Sequence, residues 1–400
     1  MKQTTKKWIA ICAAAMLMSA AFFSATSADS GSPVYNTEEL FSNRDLKQEA
    51  DLSEATTYTL SDGQDIHITA EGVYVLTGSA TDVTVYVEAG DEDKVQLVLD
   101  GVSVTNTDFP VLYGKSADKL FVTVSKDSAL AVTGTFASDG DTNTDGVIFS
   151  KCDLVLNGTA TLTVSSSDNG IVSKDTLKIT GATYSVTAAS KAIEANDSIR
   201  IADGTLILTA GTDGLHAENS DDDTLGYVYI GGGNLMITAG DDGIHGTSVV
   251  QIDDGTLNIK GTEGIEATYI QINGSTINIQ ASDDGINAAR KSSAYTPTVE
   301  INGGAITVVM GAGDTDGIDS NGNIIVNDGT VNVTGTSTFD YDGTAQFNGG
   351  TIIVNGQQVD TIPNQMMGGR GGQSGGWGTQ NGGWGGQSGG WGGQSGGHRR

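Results

Sequence analysis

Five short segments place an acidic residue, a glycine, an aliphatic residue and a polar residue in the same order: TDGLHA (212–217), DDGIHG (241–246), TEGIEA (262–267), DDGINA (283–288) and TDGIDS (315–320). Carboxylates recurring at fixed phase can serve singly as acids or bases, or jointly as oxygen donors to a hard cation such as Ca2+. Asp-Gly alone is also a good turn. The third segment bears on that choice, because Glu263 keeps the carboxylate where turn preference would select Asp or Asn.

The spacing says what must position these groups. Gly243, Gly264 and Gly285 are 21 residues apart. A period of that size signals a solenoid, in which each repeat buries its apolar row only against its neighbours. After each glycine comes a strand (VQI from Val250, IQI from Ile270, VEI from Val299, IIV from Ile324). A glycine-containing turn follows, then a second alternating strand (TLNI from Thr256, TINI from Thr276, AITV from Ala305, TVNV from Thr330). Fainter copies run back through 147–214, and 345–356 reads as a last partial coil. Insertions sit at NSDDDTLGY from Asn219 and RKSSAYTPT from Arg290. The pattern predicts an all-β fold, a right-handed parallel β-helix over about 56–362.

Equivalent residues of stacked coils lie ~4.8 Å apart. The residues before the glycines then form an inner row: Asp145, Asn169, Lys191, Asp213, Asp242, Glu263, Asp284, Asp316 and Asp342. The glycine itself is expected to allow a tight or positive-φ corner. An outward row follows two residues after the glycine: Glu194, His216, His245, Glu266, Asn287 and Asp319. Like charges stacked this closely repel. One reading is Ca2+ bridging the coils through Asp213, Asp242, Glu263, Glu266, Asp284, Asp316 and Asp319; the other is a solvated acidic corner. DTNTDG (141–146) offers a second Ca2+ loop through Asp141, Asn143 and Asp145, although Cys152 at its twelfth position excludes an EF-hand. The cluster Asp221, Asp222 and Asp223 is a weaker candidate. His216 and His245 suit either a transition metal or ion pairs with neighbouring carboxylates. No catalytic residue is assigned. Lys191 is the one weak candidate, either salt-bridged beside Glu194 or a general base beside Ca2+, with Arg200 behind it. HExxH and CxxC are absent, and the GxSxG matches at Ser374, Ser388 and Ser395 lie in low-complexity sequence.

Composition narrows the partners. The net charge of −29 excludes nucleic acid, which needs clustered Lys and Arg. Lys2, Lys6 and Lys7, an apolar run and a small-residue site ending at Ala28 read as a signal peptide over 1–28. The expected chain is therefore secreted, monomeric, free of the membrane after cleavage and open to cell-surface association. Removing Cys12 with the signal leaves Cys152, read as a small buried hydrophobe. Residues 29–55 read as a weakly ordered lead-in, and 363–400 as a disordered Gly/Trp/Gln/Ser tail carrying Trp377, Trp384 and Trp391.

The segments GVYVLTGSATDVTVYV (72–87) and KVQLVLDGVSVTNTDFPVLYGKSADKLFVTVSKDSALAVTG (94–134), with the DDGI coils, resemble the secreted carbohydrate-binding β-helix family of clostridia and related bacteria. The resemblance covers roughly 56–360. It implies a pectate-lyase-like fold, calcium at the coils, binding of cellulose and pectin-type polysaccharides of the plant cell wall, and no established lyase chemistry. The expected function is calcium-dependent, non-catalytic polysaccharide binding. A calcium-dependent pectate lyase and a structural surface or adhesion protein stand as alternatives. An acidic chain cannot attract a polyuronate directly, so Ca2+ would bridge the two. For neutral glucans, Tyr227, Tyr229 and Tyr269 are the outward aromatic candidates.

Overall fold

The computed structural model describes residues 33–313 and 315–365. The expected signal peptide and the tail beyond residue 365 lie outside the described residues.

Each coil lays down three short strands that pair in parallel with the coils before and after. One complete coil is Val249–Ile252, Thr256–Gly261 and Glu263–Ala267; the next is Tyr269–Ile272, Thr276–Ala281 and Asp284–Ala288. The result is a β-solenoid with three faces, named here in the order the chain visits them. The first and second faces form one 24-stranded sheet, and the third is a separate 12-stranded sheet. The only described helix is the single turn Thr37–Leu40.

Alternation decides what goes inside. Inward positions stack like on like: Val250, Ile270, Val299 and Ile324 on the first face, and Leu257, Ile277, Ile306 and Val331 on the second. On the third face Ile244, Ile265, Ile286, Ile318 and Phe339 share a column. All are essentially fully buried. Removing one such side chain from water contributes about 1.5–3 kcal/mol, so the column is what holds the coils in register. At the C-terminal end Gln357–Val359 turns back antiparallel on Thr351–Val354 and covers part of an open edge.

Two expectations change here. Residues 33–48, read as weakly ordered, are a strap fixed across the first face. Leu40 and Phe41 are buried against Tyr227, Tyr229, Val249 and Tyr269. Gln251 accepts from Tyr35 N at 2.7 Å and donates to Tyr35 O at 3.0 Å. The Asp45 carboxylate is fully buried between Lys119 Nζ (3.2 Å) and Lys178 Nζ (3.0 Å). Burial works to raise the Asp45 pKa, but the Ser42 amide and the two ammonium groups outweigh it and hold it low. The second change follows from the first. Tyr227, Tyr229 and Tyr269 do sit at outward strand positions, yet the strap covers them, so they form no open platform for sugar. Cys152 is buried as expected.

Candidate functional site

The outward row of the third face has the register that the 21-residue period implies: Glu194, His216, His245, Glu266, Asn287 and Asp319 lie opposite one another on successive coils. The row gains Asp340, which sequence reading missed. Its signal was Phe339-Asp340, an apolar residue and a carboxylate in the same phase as Ile318-Asp319. The inner row pairs Asp242 with Glu263 and Asp284 with Asp316. It ends differently from expectation, because Ser337 lies opposite Asp316 and Asp342 falls outside the row. At the other end Asn169 registers with Gly146 rather than with Asp145.

The glycines of the motif serve a different purpose from the one expected. Gly214, Gly243, Gly264, Gly285 and Gly317 are not among the positive-φ residues. A Cβ on Gly264 would lie 2.3 Å from Gly285 O and 2.5 Å from Ile279 Cγ2; on Gly243 it would lie 2.6 Å from Gly264 O and 2.2 Å from Ile259 Cγ2. Glycine is required because the next coil's carbonyl and the second face's core occupy that space.

The two rows split into halves of different electrostatics. Toward the N-terminal coils the protein supplies its own cations. Glu194 sits between Lys174 (2.9 Å) and Lys191 (3.4 Å). His216 Nδ1 is 2.8 Å from Asp213 Oδ2, an ion-pair distance whose angle misses hydrogen-bond alignment. His245 Nδ1 lies 2.8 Å from Asp242 and 3.0 Å from Glu266, and Lys291 lies 2.8 Å from Glu266. The imidazoles stack with centroids 4.6 Å apart. Burial opposes charge on His245, but Asp242 and Glu266 outweigh it and hold its pKa up to about 9. Burial also opposes charge on Asp213, where His216 outweighs it and keeps the carboxyl low.

Toward the C-terminal coils no Lys, Arg or His pairs with the carboxylates among the described residues. Burial, then repulsion from Glu266 and Asp242, pushes Glu263 up to about 8. Burial and neighbouring acids push Asp284 to about 6 and Asp319 to about 7. Asn287 Oδ1, Asp316 Oδ1 and Asp340 Oδ1 are buried without a hydrogen-bond partner. These donors are all oxygen, as a hard divalent cation requires. They fit Ca2+. The histidine-containing half does not need it: Asp242, His245 and Glu266 bring donor atoms within 4.8 Å of one another, but they already neutralise one another.

The remaining candidates are dispersed. In the 141–146 loop Asn143 spends its amide on Asp145 (2.7 Å), Asp145 Oδ1 is buried and unpartnered, and Asp141 is exposed. Asp222 caps Thr224, and Asp223 accepts from Ser293. Arg200 lies on the first face over the Tyr227 ring (5.3 Å), away from the acidic rows. Lys174 and Lys291 were not singled out from the sequence. No spacing marks them, because Lys174 follows a third-face strand and Lys291 sits in an insertion.

The protonated form of His245 makes a test. Its pKa is raised, so its contribution is whole below about pH 6.5, the ordinary value, and is lost as pH rises through about 9. Native protein should lose stability between those limits as charge leaves the ring among Asp242, Glu266, His216 and Lys291. His245→Gln should flatten that part of a Tm-against-pH curve. An unchanged curve would show that the ring is not the counter-ion.

Three comparisons bear on this geometry. A family model described as carbohydrate-binding domain-containing protein matches residues 62–315. A carbohydrate-binding domain-containing protein of Acetivibrio thermocellus is 35% identical over 130 residues, which span 31% of this chain and 46% of that relative's length. A solved polysaccharide lyase-like protein from C. thermocellum, in a gadolinium derivative, is 29% identical with a TM-score of 0.50, covering 53% of this chain and 93% of that one.

Proposed function

We propose, because this chain belongs to the family of carbohydrate-binding domain-containing proteins, that it is a secreted polysaccharide-binding protein whose acidic edge holds calcium and, through it, acidic glycan. The observation that carries the reading is the cation-free half of the ladder. Glu263, Asp284, Asn287, Asp316, Asp319 and Asp340 line up oxygen donors on successive coils, three of them buried and unpartnered, with no basic side chain in ion-pair contact among the described residues. Calcium bound there supplies positive charge to a surface that would otherwise repel a polyuronate. The solenoid's part is to hold the donors in register on the rigid third face, one set per coil. The N-terminal half, closed by Lys174, Lys191, His216, His245 and Lys291, sets the limit of the calcium run. The similarity to a polysaccharide lyase-like protein supports the binding of polysaccharide by this kind of solenoid.

Retention on immobilised polygalacturonate tests the reading. The full chain should be retained in calcium and released by chelator. Asp284→Asn with Asp319→Asn should lower retention about tenfold, and Asp213→Asn should not. Retention indifferent to chelator would overturn it.

A further inference from the structure

The second face has a character that the other two faces lack among the described residues. Eight consecutive strands, from Thr161–Ser166 to Thr330–Thr334, each present three outward side chains. These are Thr, Ser, Asn, Gln, Ala and a few larger apolar residues, with one charge, Lys260. That is a wall with a single charge on a chain of net charge −29. It runs in unbroken parallel register, with Ile207, Met236, Asn258 and Asn278 following one another along its midline. Of the five exposed large hydrophobics among the described residues, three are here: Ile207 (38% exposed), Met236 (46%) and Val309 (43%). Asn278 donates to Asn258 at 3.1 Å, so the amides line up from coil to coil.

We propose that this face is a second glycan-binding surface, for an uncharged, extended, β-linked polysaccharide lying along the solenoid axis. The proposal rests on the carbohydrate-binding reading above and assigns a site distinct from the acidic edge. Charge selects the polymer. A neutral chain can dock on hydroxyl, amide and methyl groups without stripping water from any ion. A polyuronate finds no counter-charge except Lys260, and a polycation is drawn instead to the acidic edge. Geometry fits too. Coils repeat every ~4.8 Å, so each coil offers one row of hydrogen-bonding groups to about one sugar of an extended chain. Ile207, Met236 and Val309 provide apolar patches for the C–H faces of pyranose rings. A second copy of this chain is a poorer occupant, because mainly Thr and Asn positions lack the apolar centre of a stable dimer interface.

The test uses the full chain and a variant carrying Met236→Glu and Asn258→Asp, both outward changes. Binding to an insoluble neutral β-glucan should weaken about tenfold or more, while calcium-dependent retention on polygalacturonate and the melting temperature stay unchanged. Unchanged glucan binding would overturn the proposal. So would a native chain that dimerises in sedimentation and is made monomeric by the variant, or one that binds polygalacturonate but no neutral glucan. A native chain that binds neither polymer would overturn this proposal and the carbohydrate reading together.

Discussion

Stripping calcium should lower the melting temperature by several degrees, and the loss should trace to one half of one edge. A ligand that binds only the folded state adds RT ln(1 + [L]/Kd), or ~2.7 kcal/mol at a hundredfold excess over Kd. The groups concerned are Glu263, Asp284, Asp316, Asp319 and Asp340, which repel one another on adjacent coils. Replacing Asp284 and Asp319 by Asn removes two of the repelling charges. The double variant should therefore be more stable than native protein in chelator and should gain little from added calcium. Native protein whose thermal unfolding is the same in calcium and chelator would leave the edge an acidic corner without a ligand.

Gly264→Ala should cost about 3 kcal/mol or more, at the upper end of what overpacking does. The new Cβ meets a backbone carbonyl at 2.3 Å and an Ile methyl at 2.5 Å, and neither is the far end of a flexible chain. The coil can admit it only by parting from the next one, which also separates Glu263 from Asp284. Chemical denaturation of the variant measures the cost. Near-native stability would show that the coils are looser than the packing implies. Gly356→Ala is the contrast: its φ is +78° but nothing lies within 4 Å, so strain should be local and modest.

Much of this was legible in the sequence for a physical reason. In a stacked solenoid a fixed period converts directly into spatial neighbours, so Glu194, His216, His245, Glu266, Asn287 and Asp319 could be aligned before any coordinates. The glycines were found but explained wrongly, because a one-coil view shows the corner and not the carbonyl of the next coil. The strap was missed because its contacts span long separations: Tyr35 meets Gln251, and Asp45 meets Lys119 and Lys178. Nothing local to residues 33–48 announces those partners, and the strap in turn hid Tyr227, Tyr229 and Tyr269. The division of the ladder was partly visible. His216 and His245 lie inside the repeat, whereas Lys174 and Lys291 lie outside its phase.

Calcium titration by calorimetry tests that division most directly, comparing native protein with two variants. Glu263→Gln with Asp319→Asn should abolish most of the calcium heat, while Asp213→Asn with Asp242→Asn should leave it nearly native. The opposite pattern, with the calcium heat lost on changing Asp213 and Asp242 and kept on changing Glu263 and Asp319, would contradict the account.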